Sequence, residues 1–223
     1  KKNKAPYMSS RLSLAAQSGL FVLPETGRVA VFAPTIEADL SLFPQDRTDL
    51  IITHYPDAHA FTQAGWTVIQ DAAGQYAMSV VCVPRAKAYA RALIAVATSK
   101  TDGPVVVDGT KTDGADSLFK ACRKLIDLPH AFSKAHGKTF VLPQDAAFEE
   151  WFEADPPADN GHGFVTRPGV FSAEKIDTGS TGLAAALPVT LGKHVIDLGA
   201  GWGYLSREIL TRPDVETLWL VEA

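Results

Sequence analysis

Asp197-Leu198-Gly199-Ala200-Gly201-Trp202-Gly203 is the stretch of this chain whose residue types and spacing could do chemistry. A carboxylate is followed by three glycines at alternate positions, which makes a loop with almost no side chain. Such a loop lets a ligand lie directly against the backbone. A second acid, Glu222, closes the apolar run Leu218-Trp219-Leu220-Val221. A carboxylate at the tip of a neighbouring strand can accept hydrogen bonds from both hydroxyls of a ribose. Two phosphate-binding patterns fail here. The dinucleotide fingerprint Gly-x-Gly-x-x-Gly is broken because Tyr204, not a glycine-spaced helix start, follows Gly203, and no Gly-Lys-Ser/Thr follows to make a P-loop.

These residues need elements to position them. Val195-Ile196-Asp197-Leu198 has the β-branched, apolar character of a short buried strand. Tyr204 to Leu210 reads as a helix with Leu205 and Ile209 on one face. The strand, the bare loop and the helix start together predict backbone N–H groups open to a ligand's polar atoms. Leu218 to Val221 predicts the adjacent strand.

What remains after those exclusions, Asp197-Leu198-Gly199-x-Gly201-x-Gly203, resembles motif I of the class I S-adenosylmethionine (SAM) methyltransferases. A second run, Pro168-Gly169-Val170-Phe171-Ser172 followed by Ile176-Asp177-x-Gly179-Ser180, is more specific. It resembles the entry to the catalytic domain in the ribosomal RNA small subunit methyltransferase C family, the guanine-N2 methyltransferases of 16S rRNA. The resemblance is close over about residues 164 to 223 and looser upstream. It implies SAM as cofactor, with Asp197, Gly199, Ala200, Gly201 and Gly203 in the cofactor loop and Glu222 on the ribose. It also implies that Phe171, Asp177 and Gly179 flank the cofactor from the N-terminal side. The implied partner is ribosomal RNA or the small ribosomal subunit, with no metal. The same resemblance implies a catalytic Asn-Pro-Pro-Phe tetrapeptide well after the ribose acid, so the catalytic residues are expected beyond Ala223 and the second domain is expected to be truncated.

Upstream, strands are expected at Arg28–Ala33, Asp49–Thr53, Met78–Val83, Pro104–Asp108 and Lys138–Leu142, with a turn at Tyr55-Pro56-Asp57. Between them, Ala86, Tyr89, Ala90, Leu93, Ile94 and Ala97 share one helix face, and Leu118, Cys122, Leu125 and Ile126 another. Strands alternating with helices predict an α/β fold with a largely parallel sheet. The expected class is two Rossmann-like domains in tandem, the second incomplete. Residues 1–152 form the non-catalytic domain, 153–163 a linker and 164–223 the start of the methyltransferase domain. Val107-Asp108-Gly109-Thr110-Lys111 stands where a glycine loop could be, but one glycine and a lysine cannot cradle a cofactor. Asp155-Pro156-Pro157-Ala158 looks like an amino-methyltransferase tetrapeptide without its stacking ring, and is read as linker.

Composition is globular, at 46% hydrophobic and 21% charged residues. A net charge of −4 argues against a pure nucleic-acid binder, whose footprint should be basic. Lys1, Lys2, Lys4 and Arg11 form a basic start that reads as a solvated tail or an RNA-touching arm. No run is long enough for a membrane span, and two cysteines make no disulfide framework, so a cytoplasmic setting is expected. The six histidines show no metal-ligand spacing. Two other functions fit the same residues: a binding module for RNA or protein without activity, and a methyltransferase acting on a small molecule or protein.

Overall fold

The structure is a computed structural model and describes residues 10–143, 148–154, 157–167 and 170–222. Lys1, Lys2, Lys4, Asp155, Pro156, Pro168 and Gly169, to which the sequence assigns a tail, a linker and part of a motif, lie outside the described residues. The chain divides into two compact units, Lys1–Ala154 and Asp155–Ala223.

The first unit is a seven-stranded sheet carrying helices. Its strands are β1 (Val29–Phe32), β2 (Thr48–Ile51), β3 (Thr67–Ile69), β4 (Met78–Cys82), β5 (Val105–Thr110), β6 (Phe132–Lys134) and β7 (Gly137–Leu142). They lie in the order β3-β2-β1-β4-β5-β7-β6. The first five are parallel, and β7 runs antiparallel between β5 and β6. The central strands read Val-Ala-Val-Phe, Met-Ser-Val-Val and Val-Val-Val because both faces are covered. One apolar cluster packs on each face. On one of them, α3 (Lys87–Ser99) buries Ala90, Leu93, Ile94 and Ala97, four of the residues its periodicity predicts. Two buried hydroxyls on this side, those of Ser79 and Thr101, satisfy each other at 2.6 Å.

α1 (Arg11–Gln17) is tied to the sheet by a fork-to-fork ion pair, with Arg11 Nε and Nη2 each 2.7 Å from an Asp108 carboxylate oxygen. Thr139 donates a further bond to Asp108 Oδ1. Both charged side chains are mostly withdrawn from water, at 9% and 14% exposure. Arg11, read from sequence as part of a solvated basic tail, is instead a buried strut.

Several expectations are corrected here. Tyr55-Pro56-Asp57 is not a turn but the first turn of α2 (Tyr55–Gln63), where proline near the start fits because an unpaired N–H would be there anyway. β3 and β6 were not anticipated, since three-residue strands leave no periodicity to read. Leu125, at the end of α4 (Ala115–Leu125), is 38% exposed, not inward. Gly109 lies inside β5 and not in a loop. A Cβ there would sit 2.6 Å from Val83 Cβ, so its glycine serves packing.

The second unit holds the short hairpin β8 (Ala158–Asp159) and β9 (Val165–Thr166), then α5 (Thr178–Ala186), β10 (His194–Leu198), α6 (Tyr204–Leu210) and β11 (Thr217–Val221). β10 and β11 pair in parallel, placing Asp197 beside Leu220 and Leu198 beside Val221. Ile196, Leu198, Trp219, Leu220 and Val221 are each at least half exposed in this two-stranded sheet.

Candidate functional site

In the second unit the chain leaves β10 at Gly199 and enters α6 at Tyr204. Gly199, Gly201 and Gly203 all have positive φ, at 76°, 55° and 93°. An L-residue in that region costs roughly 1–2 kcal/mol, so three such positions in five residues explain the glycines. Nothing stands within 4 Å of where a Cβ would be on Gly199 or Gly201. The loop surface is therefore open, as a backbone seat for a ligand must be.

Four of the loop's five N–H groups have partners within the protein, which narrows the expectation that they await a ligand. Those of Gly199 and Ala200 both donate to the Val221 carbonyl, at 2.8 and 3.1 Å, and that of Gly203 donates to the Ala200 carbonyl at 2.9 Å. The Gly201 N–H donates to Glu222 Oε2 at 2.7 Å. Glu222 thus reaches back from the tip of β11 and braces the loop from the neighbouring strand. A carboxylate there repels a phosphate, by about 1 kcal/mol at 4 Å in water and more where water is excluded.

Asp197 is 7% exposed, and its Oδ2 accepts the Ser206 hydroxyl at 2.6 Å. The bond ties the end of β10 to α6 and so holds the loop from behind. A recess of about 80 Å³ opens in front, lined by Phe171, Ser172, Asp177, Ser180, Gly199, Ala200, Gly201, Trp202, Tyr204 and Leu205. Five of the nine sequence-predicted site residues meet in this recess: Phe171, Asp177, Gly199, Ala200 and Gly201. Gly203 and Glu222 adjoin it through the loop. Asp197 lies behind the loop and Gly179 behind Asp177, where a Cβ on Gly179 would fall 2.9 Å from Asp177 Oδ2. Asp177 itself caps α5, its Oδ2 accepting the Ser180 N–H at 2.9 Å.

Trp202, Tyr204, Ser172 and Ser180 also line the recess and were missed as site residues. For Trp202 a signal was present: a large aromatic between two glycines of a bare loop is out of keeping with its neighbours. Its indole N–H donates to the Phe171 carbonyl at 3.0 Å. Its ring packs on Phe164 at 4.7 Å between centroids and near Tyr204 at 6.0 Å, with the Arg207 guanidinium 4.3 Å from the Phe164 centroid.

The recess holds the volume of two or three waters, too small for a whole nucleoside derivative. It is a corner against which part of a ligand sits, the rest lying on the open loop. The donor set fits adenosylmethionine. The loop is bare, the strand-tip carboxylate suits a diol, and Asp177 and Glu222 supply negative charge that suits a sulfonium and an ammonium.

Comparison with known proteins agrees. The methyltransferase small domain family matches residues 161–223. No curated protein matches the chain. Among solved structures, the T. thermophilus 16S rRNA N2 G1207 methyltransferase (RsmC), in complex with AdoMet and guanosine, is similar at 22% identity and a TM-score of 0.67. The likeness covers 90% of this chain and 60% of that one. The chain therefore spans about three fifths of the length of the structure it resembles, and at this identity the match establishes the shared α/β fold. A candidate methyltransferase from Pseudomonas syringae matches at 12% identity over 59% of this chain and 94% of that one, with a TM-score of 0.43, too slight to bear on function.

Proposed function

We propose that this protein is a SAM-dependent methyltransferase acting on guanine N2 of 16S ribosomal RNA in the cytoplasm. The observation that carries the proposal is the bare loop Gly199–Gly203 braced by Glu222 from the next strand. The small-domain match over residues 161–223 supports the methyltransferase class. The likeness to a 16S rRNA N2 methyltransferase supports the substrate. Among the described residues no helix is long and apolar enough to cross a membrane, and no group of three or more His, Cys, Asp or Glu side chains is placed to hold a metal.

In this reading Glu222 would hold the ribose hydroxyls while keeping its bond to the Gly201 N–H. Phe171 and Asp177 would bound the cofactor from the N-terminal side, and Asp197 would keep the loop in register through Ser206. When bound, SAM supplies a methyl group on a positively charged sulfur. The exocyclic amine of guanine is a weak nucleophile because its lone pair is delocalised, so positioning supplies most of the rate and no covalent intermediate is needed. The domain expected at residues 1–152 would be non-catalytic and would support or position the RNA, with residues 153–163 as linker.

The test is methyl transfer from radiolabelled SAM with the full-length protein, offering 30S particles, naked 16S rRNA, free guanosine and protein extracts in parallel. Label in N2-methylguanine of the RNA is expected. Label confined to a small molecule or a protein would overturn the substrate assignment, and no label on any acceptor would overturn the activity.

A further inference from the structure

The segment that carries Phe171 to the recess is held in a conformation it would not adopt alone. Ser172 has φ of 53°, in the left-handed region that a residue with a side chain enters only at a cost. Such a conformation persists only where the surroundings fix it. Here the carbonyls on both sides of Ser172 are pinned. The Trp202 indole N–H donates to the Phe171 carbonyl at 3.0 Å, and the Thr166 hydroxyl donates to the Ala173 carbonyl at 2.8 Å. Ser172 closes the turn with its own hydroxyl on the Lys175 carbonyl at 2.7 Å. Phe171 stands 70% exposed at the edge of the recess, too exposed to be held by packing of its own ring.

From this arrangement we infer that Trp202 is a positioning residue. Its indole N–H latches the turn at Phe171–Ser172 to the glycine loop and so sets where the Phe171 ring stands over the cofactor. The Trp202 ring is itself anchored against Phe164, which Arg207 covers on the guanidinium side while donating to the His162 carbonyl at 2.8 Å. The latch therefore runs from α6 through the ring cluster to the turn. It makes the glycine loop and the segment before α5 one wall of the recess, so that loop position and Phe171 position change together. The inference rests on the reading of this recess as the SAM site.

A double-mutant cycle on the full-length protein tests it, with SAM affinity measured by isothermal titration for the wild type, Trp202→Phe, Phe171→Leu and the double variant. Trp202→Phe keeps an aromatic ring against Phe164 and removes the donor together with part of the ring. It is expected to weaken SAM binding roughly five- to tenfold, the size of one hydrogen bond. In the Phe171→Leu background the same change is expected to have no further effect, because Trp202 acts through that ring. Thr166→Val, which removes the other pin outside the recess, is expected to weaken binding less than Trp202→Phe. Equal weakening by Trp202→Phe in both backgrounds, or wild-type affinity in Trp202→Phe, would overturn the inference. Failure of the wild type to bind SAM would overturn the site reading and the inference with it, and shows before any variant is made.

Discussion

The two units carry the same strand pair and use it differently. In the first, β1 ends at Phe32 and the next N–H, that of Ala33, donates to the Ile51 carbonyl at the end of β2. In the second, β10 ends at Leu198 and the N–H of Gly199 donates to the Val221 carbonyl at the end of β11. Phe32 pairs with Ile51 as Leu198 pairs with Val221, so the two registers superpose residue for residue. Even the backbone agrees, with φ of 51° at Ala33 and 76° at Gly199. What differs is the chemistry. Val31 stands where Asp197 does, Thr35 where Gly201 does, Glu37 where Gly203 does, and the buried apolar Ile52 where Glu222 does. After β10 a loop of five residues enters α6. After β1 the chain runs irregularly to Gln45–Arg47, burying Leu40 and Phe43. In the first unit Val31 and Ile52 at the strand ends are buried in a core while Thr35 and Glu37 lie exposed, and in the second unit the same stretch forms an open loop. The left-handed turn at the strand end therefore belongs to the fold, whereas the two carboxylates and the remaining glycines belong to the site.

The comparison can be broken first at the buried ion pair of the first unit. Arg11→Met leaves Asp108 charged and unpaired, and should cost that unit about 3–5 kcal/mol. Urea unfolding followed by circular dichroism measures it, and an unchanged midpoint would show that the pair contributes nothing net. Next comes Gly199→Val, which forces a β-branched residue to positive φ and fills the open face. SAM affinity should fall by a factor of roughly 100 or more. Isothermal titration reads the loss, and a tenfold change or less would mean that the loop does not seat the cofactor. Glu222→Gln keeps size and removes charge, and should weaken SAM by roughly ten- to a hundredfold, as expected for hydrogen bonds to an ionised acceptor.

The smallest effect lies in the first unit's core. Burial pushes the thiols of Cys82 and Cys122 from 9.0 up to about 12, with the Asp108 carboxylate adding to the rise at Cys82 and Arg11 opposing it. Burial favours the neutral thiol, so this part of the stability is complete below pH 9 and is lost as pH rises towards 12. At pH 8 only about one thiol in ten thousand is ionised. A disulfide reagent should therefore react with the buried Cys122 of the native protein only as fast as it opens. Rapid labelling of Cys122 at pH 8 would place that cysteine nearer water than described.

Much of the first unit was legible because its long central strands are apolar on both faces and α3 repeats every three to four residues. The short strands β3 and β6 were not, and Pro56 read as a turn because proline marks helix starts and turns alike. In the site, glycine spacing located the loop and the run ending at Glu222 located its brace. The recruitment of the loop N–H groups by Val221 and Glu222 was not legible, because it depends on the register of two strands. Trp202 stood out as a large aromatic between two glycines, but its hydrogen bond to a carbonyl 31 residues earlier leaves no mark in local sequence.

The claim that one strand pair is a seat and its counterpart a core is tested most directly by the stoichiometry of SAM binding. Isothermal titration of the full-length protein should give one site per chain, weakened by a factor of roughly 100 or more in Gly199→Val and retained in Ala33→Gly with the same affinity. Two sites per chain, or a single site whose affinity Gly199→Val leaves unchanged, would contradict it.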